Sequence, residues 1–320
     1  MKNNLFNLLK KEFPRLQKNV SLKNHTTFKI GGPAEYFLVI KDKEYLIKAL
    51  KVAKKLKLPV FVLGGGSNLL VSDEGIKGLV IKINNKKINF LGNNKISADS
   101  GVALSKLVEF SVGKSLSGLE WAGGLPGTFG GAIRGNAGAF SGEIKDSILW
   151  VEALDSQFNL KKISKKKSQF SYRSSIFKEK NWIVVSAVIK LKNGNKKTLQ
   201  EIIQSRINYR RDKHPLNHPN AGSIFKNVDL NKFSLKLKET LASVVKNDPL
   251  PVVPTAHLIF QAGLKGRRIG NAQISEKHPN FIVNLGGATA EDVLGLISLV
   301  KREIKKIYRI NLETECMILK

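Results

Sequence analysis

Two glycine-rich segments are the clearest candidates for chemistry in this sequence. Residues 64–68 read GGGSN and directly follow the apolar run Val60–Leu63, and residues 123–128 read GGLPGT. Glycine has no Cβ, so backbone N–H groups in such loops can approach an anionic group closely. The two loops together predict a binding site for a diphosphate.

Neither loop carries the signature of a common nucleotide-binding motif. Neither ends in the Gly-Lys-Ser/Thr of a triphosphate loop, and neither forms a complete Gly-x-Gly-x-x-Gly turn with an acidic residue about twenty positions later. A Rossmann dinucleotide site and a P-loop ATPase are therefore disfavoured. A tight turn without a ligand is the alternative for either loop taken alone.

Metal and disulfide chemistry are also disfavoured. The only cysteine, Cys316, excludes an intrachain disulfide and any zinc or iron–sulfur site built on several thiolates. His214 and His218 have helical spacing, but Pro215 and Pro219 argue against a helix there. We expect no metal site.

The net charge of the chain is strongly positive, which raises the question of whether its partner is a polyanion such as a nucleic acid. The 320 residues include 54 Lys+Arg and 25 Asp+Glu, which gives a formal net charge of +29. The lysines are spread along the whole chain, and we find neither a basic stripe with interleaved aromatic residues nor a groove-reading helix. We interpret the charge as compositional bias and expect no nucleic-acid partner.

The elements that position the loops follow an α/β pattern. Extended apolar runs at 36–40, 60–63 and 79–83 flank a helical pattern at 44–56. Further helices are predicted near 103–113, 199–209 and 290–306, and a last strand at 309–319. The first helix is expected to end near Pro14. No run approaches the roughly 18 apolar residues of a membrane span, so we expect a cytoplasmic protein without membrane insertion.

Eight segments, in order along the chain, resemble the UDP-N-acetylenolpyruvoylglucosamine reductase family. They are residues 24–34 (NHTTFKIGGPA), 64–70 (GGGSNLL), 118–127 (GLEWAGGLPG), 136–139 (NAGA), 172–178 (YRSSIFK), 221–227 (AGSIFKN), 262–266 (AGLKG) and 275–278 (SEKH). The resemblance covers about residues 20–320. The direct link between the last two segments resembles the shorter subtype of the family, which lacks an additional tyrosine-bearing substrate loop.

The resemblance implies both a fold and an activity. The fold is α+β: a two-subdomain FAD-binding region of the vanillyl-oxidase type, followed by an α+β substrate-binding domain. We expect a helical appendage over residues 1–19, FAD-binding subdomains over 20–85 and 86–197, and the substrate domain over 198–320. The implied activity is reduction of UDP-N-acetylglucosamine enolpyruvate to UDP-N-acetylmuramate, with NADPH as co-substrate and FAD as cofactor. We also expect a monomer.

Three residues match the catalytic motif of the family. Hydride addition to the terminal carbon of an enol ether builds negative charge on the carbon that bears the carboxylate, so that carboxylate needs cationic or hydrogen-bonding partners. The resemblance implies that Ser223 donates the proton, that Arg173 pairs with the carboxylate, and that Glu315 orients the intermediate or assists the proton transfer. Strand parity places Glu313 on the same face as Glu315, so the sequence alone does not exclude it.

The resemblance also implies binding residues. Lys213 and Asn227 match positions that contact the UDP-sugar, and Tyr172 is a further candidate for the same pocket. The predicted FAD contacts are Gly64, Gly65, Gly66, Ser67, Asn68, Gly123, Gly124, Pro126, Gly127, Thr128, Asn136 and Ala137.

The chain departs from the family pattern at two positions. Met317 stands where a basic residue is usual, and Arg134 stands where the residue is more often uncharged. Arg134 could contact a phosphate or be an unrelated surface residue. The alternative to the family activity is a related flavin oxidase with a different substrate, which the combination of Ser223, Arg173 and Glu315 disfavours.

Overall fold

The computed structural model describes residues 2–247 and 250–319. The chain separates into two compact units, which are described one at a time. Unit 1 consists of Met1–Val20, Pro33–Gly65 and Ile76–Asn208, and unit 2 consists of Ser21–Gly32, Gly66–Gly75 and Tyr209–Lys320. No helix among the described residues has the length and apolar character needed to span a bilayer.

Unit 1 is built on two sheets. Its strands are β1 (Gln17–Ser21), β2 (Pro33–Ile40), β3 (Val60–Leu63), β5 (Ile76–Ile83), β6 (Ile88–Phe90), β7 (Lys95–Asp99), β8 (Leu116–Ser117), β9 (Gly138–Ala139), β10 (Gly142–Glu143), β11 (Ile148–Leu154), β12 (Leu160–Ser164), β13 (Ile183–Lys190) and β14 (Lys192–Asn193). The first sheet has the order β1-β2-β5-β3, with β5 parallel to β2 and β3. The second has the order β12-β11-β13-β7-β6 and is antiparallel.

The helices of unit 1 cover these sheets. They are α1 (Lys2–Glu12), α2 (Lys43–Lys55), α3 (Leu104–Gly113), α4 (Phe129–Arg134), α5 (Ile144–Ser147) and α6 (Ile176–Glu179), and α7 (Lys196–Lys213) begins in this unit. Short 3₁₀ turns of this unit span Glu120–Ala122 and Lys166–Ser168, whereas the turn Leu22–His25 belongs to unit 2. Helix α2 shows why the local sequence is helical: the Asp42 carboxylate accepts a hydrogen bond from the Tyr45 N–H at 2.7 Å, and one apolar face is buried.

Unit 2 contains smaller sheets and the longest helix. Its strands are β4 (Leu69–Val71), β15 (Asn220–Ser223), β16 (Val228–Asp229), β17 (Lys246–Asn247), β18 (Pro251–Val253), β19 (Arg268–Ile269), β20 (Ala272–Ile274), β21 (Phe281–Asn284) and β22 (Met317–Leu319). They form the antiparallel sheets β15-β21-β20-β19 and β16-β18-β17 and the parallel pair β22-β4. The helices are α8 (Leu235–Leu241), α9 (Thr255–Gln261) and α10 (Ala290–Tyr308), with 3₁₀ turns at Leu230–Lys232 and Ala242–Val244.

Three apolar cores hold these elements together. In unit 1, one core contains Leu9, Phe13, Tyr36, Leu50 and Ile81, and a second contains Ile96, Leu107, Phe129, Val151 and Phe177. In unit 2, the core contains Phe28, Phe225, Leu258, Leu296 and Ile304. The predicted division at residues 20, 86 and 198 stays a prediction.

The first helix ends at Glu12, just before Pro14, as predicted. Leu9 and Phe13, within the segment predicted as an appendage, have no exposed surface and are part of the first core of unit 1. Burial of two large apolar side chains contributes several kcal/mol, at about 1.5–3 kcal/mol each. The segment therefore helps to hold unit 1 together.

The end of the chain differs from the expectation. A strand was predicted over residues 309–319, but only Met317–Leu319 is regular, and it pairs with Leu69–Val71. The preceding segment makes one isolated bridge, between Thr314 and Phe225. The partner strand Leu69–Val71 has only three residues, so the ladder that it forms with Met317–Leu319 is equally short.

Candidate active site

The first glycine loop follows β3 and lies against the second loop. A Cβ on Gly64 would lie 2.8 Å from Thr128 Oγ1, and a Cβ on Gly65 would lie 2.8 Å from the Cα of Gly127. Real Cβ atoms do not come that close to backbone, so this approach within unit 1 requires glycine. The two loops that the sequence singled out are neighbours there.

The backbone of these loops presents unused donors. In the described part of the chain, the N–H groups of Gly65, Gly124, Gly127 and Thr128 donate no hydrogen bond to a protein group. Adjacent N–H groups without an acceptor form the kind of concave surface that binds a phosphate or diphosphate. The residues present therefore fit the diphosphate of FAD.

Lys82 contacts the first loop and was missed by sequence reasoning. It lies on β5, and its Nζ donates a hydrogen bond to the Gly64 carbonyl. Burial lowers the pKa of the Lys82 ammonium below its ordinary value, and the nearby charge of Lys86 acts in the same direction. A lysine inside the apolar run Leu79–Ile83 was the available signal.

The other predicted FAD contacts are placed as follows. Gly66 has φ +67°, and a Cβ there would lie 2.0 Å from the His25 carbonyl oxygen. A Cβ on Gly123 would lie 3.0 Å from the Ile203 carbonyl oxygen. Ser67 and Ala137 are half-buried, whereas Pro126 is exposed. Their contacts with FAD stay predictions.

Ser223 and Glu315 are held in neighbouring segments of unit 2. Ser223 ends strand β15 and follows Gly222, which has φ +77°. The N–H of Glu315 donates to the carbonyl of Ile224, the residue after Ser223, at 2.8 Å. The Asn68 side-chain amide donates to the Glu315 carbonyl at 3.0 Å, and the Met317 N–H donates to the Asn68 carbonyl at 3.0 Å. Asn68, Ile224 and Glu315 thus belong to one hydrogen-bonded assembly, and Ser223 directly precedes Ile224.

The structure separates the two candidate carboxylates. Glu313 is exposed and forms ion pairs with Lys226 at 3.1 Å and Lys232 at 3.0 Å. Hydrogen bonds from Lys232 and Lys226 lower the pKa of the Glu313 carboxyl below its ordinary value. Glu315 is half-buried and bonded through its backbone to the Ser223 segment. The expectation that both side chains lie on one face stays a prediction, and only an isolated bridge at Thr314 lies between the two residues.

The predicted UDP-sugar contacts lie elsewhere in unit 2. Lys213 is the exposed last residue of α7. The Asn227 side-chain oxygen accepts from the Thr255 N–H at 3.2 Å, and Thr255 Oγ1 donates to the Lys226 carbonyl at 2.6 Å. Asn227 is therefore oriented by the start of α9.

Arg173 and Tyr172 lie in a tight turn of unit 1. Ser171 and Ser174 exchange two backbone hydrogen bonds of 3.1 Å, and Arg173 between them has φ +56°. The Arg173 guanidinium lies over the Tyr172 ring, 5.0 Å from its centroid, and Nη2 donates to the Gly138 carbonyl at 3.0 Å. The half-buried Arg173 guanidinium is thus held in a defined position.

The side chains of Asn136 and Arg134 form hydrogen bonds with other residues of unit 1. The Asn136 side chain is fully buried and donates to Glu143 and to the Ser171 carbonyl. Arg134 Nη2 donates to the Asn181 side chain at 3.1 Å, and burial lowers the pKa of its guanidinium. Arg134, the arginine at a position that is usually uncharged, therefore has a hydrogen-bond partner within the protein. The contact between Asn136 and the flavin stays a prediction.

His214 belongs to a packed aromatic group, not to a metal site. Its ring centroid lies 5.4 Å from that of His278 and 5.0 Å from that of Phe281. Burial lowers the pKa of each histidine to about 4, with His278, Arg210 and Lys277 adding to the effect at His214. Among the described residues, no three His, Cys, Asp or Glu side chains could hold a metal ion.

Comparison with known proteins places these features in a family. The family model of the UDP-N-acetylenolpyruvoylglucosamine reductase C-terminal domain matches residues 214–319, and an FAD binding domain model matches residues 34–162. The predicted α+β fold with an FAD-binding region of the vanillyl-oxidase type is confirmed.

Two relatives and one solved structure span nearly the whole chain. The UDP-N-acetylenolpyruvoylglucosamine reductase of Caldanaerobacter subterraneus subsp. tengcongensis is 39% identical over 304 residues, covering 95% of this chain and 93% of the relative. That of Syntrophomonas wolfei is 38% identical and covers 99% of both chains. The crystal structure of the Thermus caldophilus enzyme has a TM-score of 0.76 and 31% identity, covering 96% of this chain and 99% of that chain.

Proposed function

This chain belongs to the UDP-N-acetylenolpyruvoylglucosamine reductase family, and we propose that it reduces the enolpyruvyl group of UDP-N-acetylglucosamine enolpyruvate to give UDP-N-acetylmuramate. NADPH is the reductant and FAD the cofactor in this proposal. One observation carries it: Asn68 of the glycine loop binds the backbone of Glu315, which in turn binds the residue after Ser223. Within unit 2, these hydrogen bonds join Asn68 to the segments of the two residues proposed to donate the proton and to orient the intermediate.

The glycine loops bind and orient FAD. When bound, FAD supplies hydride transfer between the nicotinamide nucleotide and the substrate. The free N–H groups of Gly65, Gly124, Gly127 and Thr128 hold its diphosphate. Lys82 donates a hydrogen bond to the Gly64 carbonyl, and its positive charge offsets the repulsion between this carbonyl oxygen and the anion.

Arg173 binds the carboxylate of the substrate. Its guanidinium is a planar fork that can donate two parallel hydrogen bonds to a carboxylate. As negative charge develops on the adjacent carbon, this charge-assisted pairing stabilises the transition state more than the ground state. The turn at residues 171–174 and the bond to Gly138 hold the fork ready for the substrate.

Ser223 donates the proton that completes the reduction. Its hydroxyl hydrogen moves from Oγ to the carbon that bears the carboxylate, and Glu315 orients the reacting group or assists this transfer. Lys213 supplies a point charge to the UDP-sugar, and Asn227 supplies hydrogen bonds. We expect the reaction to take place in the cytoplasm, with the protein as a monomer.

The test is flavin identification combined with a turnover assay. Purified protein is expected to contain FAD and to consume NADPH rapidly only when the enolpyruvyl sugar is present, and NADH in a parallel assay gives the nucleotide preference. FAD binding with no response to this sugar would favour a flavin oxidase of another substrate. A protein without FAD affinity would contradict both readings.

A further inference from the structure

Glu143 is a buried carboxylate to which the catalytic scheme above gives no role. It retains 4% of its accessible surface and lies on β10, opposite Gly138 on β9. One carboxylate oxygen accepts from Asn136 Nδ2 at 3.0 Å, and the other is ion-paired with Lys145. Burial of a carboxylate is costly unless its oxygens are bonded in this way.

Asn136 connects Glu143 to the turn that carries Arg173. Its Nδ2 also donates to the Ser171 carbonyl at 2.9 Å, and its Oδ1 accepts from the Lys145 N–H at 3.3 Å. These partners fix the orientation of the amide, because a flipped amide would set its oxygen against the Glu143 carboxylate and the Ser171 carbonyl. The Asn136 donor is therefore aimed at Ser171 by Glu143.

The Ser171 carbonyl is also the anchor of the Arg173 turn. It accepts from the Ser174 N–H at 3.1 Å, and this bond closes the turn around Arg173. Arg173 has a left-handed backbone conformation, which costs energy for a residue other than glycine and needs support from its surroundings. Asn136 supplies such support, as does Lys178 Nζ, which donates to the Arg173 carbonyl at 3.0 Å.

A second connection runs through Gly138. The Gly138 carbonyl accepts from Arg173 Nη2 at 3.0 Å, and Gly138 pairs with Glu143 in the β9–β10 ladder. A Cβ on Gly138 would lie 2.7 Å from Glu143 Cγ. The side chain of Glu143 thus packs directly against the residue that holds the guanidinium.

We propose that Glu143 is a positioning residue for Arg173, acting through the Asn136 amide on the turn at residues 171–174. The proposal rests on the substrate-binding role given to Arg173 above. What matters is the reach of an acceptor oxygen to Asn136, because the Glu143–Asn136–Ser171 hydrogen bonds join the carboxylate to the turn that carries Arg173.

The distinguishing pair of variants is Glu143→Gln and Glu143→Asp. Glutamine keeps the length and one acceptor oxygen but loses the charge, whereas aspartate keeps the charge but is one methylene shorter. Positioning predicts that Glu143→Gln retains the rate at which the substrate restores the visible absorbance of the reduced flavin. Glu143→Asp is expected to lose about 10- to 100-fold in that rate, the scale of a misplacement near 1 Å.

Two further measurements separate positioning from a general loss of structure. Flavin reduction by NADPH is expected to change by less than about twofold in both variants, since it does not use Arg173. In an Arg173→Ala background, Glu143→Asp is expected to have little further effect on the substrate step, because residues that act as a unit are not additive. Asn85→Ala is a control for the loss of a buried polar contact in unit 1, because the Asn85 amide donates to Val185 and accepts from Gly101, and it is expected to leave the substrate step unchanged.

A structural readout keeps the test independent of turnover. Hydrogen exchange of a peptide covering residues 171–174 is expected to be faster in Glu143→Asp than in Glu143→Gln or the unmodified protein, since the Ser174 N–H would open more often. Equal exchange in all three proteins, or a greater loss in the substrate step for Glu143→Gln than for Glu143→Asp, would overturn the proposal. An unmodified protein that does not respond to the substrate would instead contradict the proposed function.

Discussion

At the scale of single residues, hydrogen bonds distinguish two similar acidic residues. Glu313 and Glu315 are two positions apart, but Glu313 is neutralised by Lys226 and Lys232. Glu315 is attached to Ile224 and Asn68 through its backbone. The sequence did not decide between Glu313 and Glu315. Alternation along an assumed strand says nothing about ion pairs with lysines that are distant in the chain.

Arg173→Lys tests whether the planar fork is needed. Lysine keeps the charge but cannot donate two parallel hydrogen bonds to a carboxylate, and it loses the bond to Gly138 in its present geometry. The substrate step is expected to slow by about 10- to 100-fold, because a hydrogen bond to a charged group contributes about 1.5–3 kcal/mol. Stopped-flow measurement of flavin absorbance gives this rate.

Arg134→Lys is the matched control for that prediction, since its guanidinium bonds to Asn181. It is expected to leave the substrate step near the unmodified rate. A rate for Arg173→Lys that equals the control would show that charge alone is sufficient at position 173.

The positioning contacts of Arg173 were beyond sequence reasoning. Ser223, Arg173 and Glu315 were predicted from a family resemblance, and the structure places Ser223 and Glu315 in adjacent segments. The Asn136–Ser171 bond joins residues 35 positions apart. No local spacing encodes such a contact, so nothing in the sequence marked Glu143 as a residue with a role.

At the scale of elements, the close approach of the two glycine loops is the feature that the sequence predicted best. The prediction came from the glycine content of the two loops. Glycine is needed there because the space between the loops is too small for a Cβ atom. The structure adds that Gly65 and Gly127 are the point of approach. It also adds Lys82, which neither loop contains.

Gly65→Ala tests that approach. The added methyl group would lie 2.8 Å from the Gly127 Cα, so one loop must move. FAD affinity, measured by fluorescence titration, is expected to fall at least about tenfold, or by about 1.4 kcal/mol. Unchanged affinity would contradict a role for this loop in FAD binding.

Gly113→Ala is the matched control, because a Cβ at this helical position has nothing within 4 Å. It is expected to leave FAD affinity unchanged. Replacement of a helical glycine by alanine favours the helix by about 0.8–1 kcal/mol, so its thermal midpoint is expected to stay the same or rise.

Helices were predicted better than the last strand. The amphipathic pattern at 290–306 corresponds to α10 (Ala290–Tyr308), whose start has a capping box between Thr289 and Asp292. Such signals lie within a few residues of each other. The length of β22 depends instead on β4 (Leu69–Val71), which is distant in the chain.

At the scale of the whole molecule, the net charge of +29 is not required by the proposed chemistry. FAD, NADPH and the UDP-sugar are all anions, so a positive potential can raise their encounter rates. The proposed binding uses only a few placed cations, such as Arg173 and Lys213. The remaining lysines are consistent with compositional bias.

The paired histidines of unit 2 predict how stability depends on pH. The folded pKa values of His214 and His278, both about 4, lie below the ordinary value of 6.5. Between these values the unfolded chain binds more protons than the folded chain, so the free energy of unfolding decreases as the pH falls from 6.5 towards 4. Thermal midpoints at pH 7 and pH 5 measure the effect.

The loss of thermal midpoint between these pH values is expected to be smaller when His214 and His278 are both replaced by glutamine. His257→Gln is a histidine replacement outside the pair and serves as the control. An equal loss in the double variant and the unmodified protein would contradict the origin assigned to it.

The most direct test of the proposed reaction is Ser223→Ala in a two-stage assay. Reduction of the bound flavin by NADPH is expected to proceed at nearly the unmodified rate, because this stage does not use the Ser223 proton. Formation of UDP-N-acetylmuramate is expected to fall about 10²- to 10⁴-fold, the usual contribution of general acid catalysis. Equal losses in the two stages, or no loss in the second, would contradict the assignment of Ser223 as the proton donor.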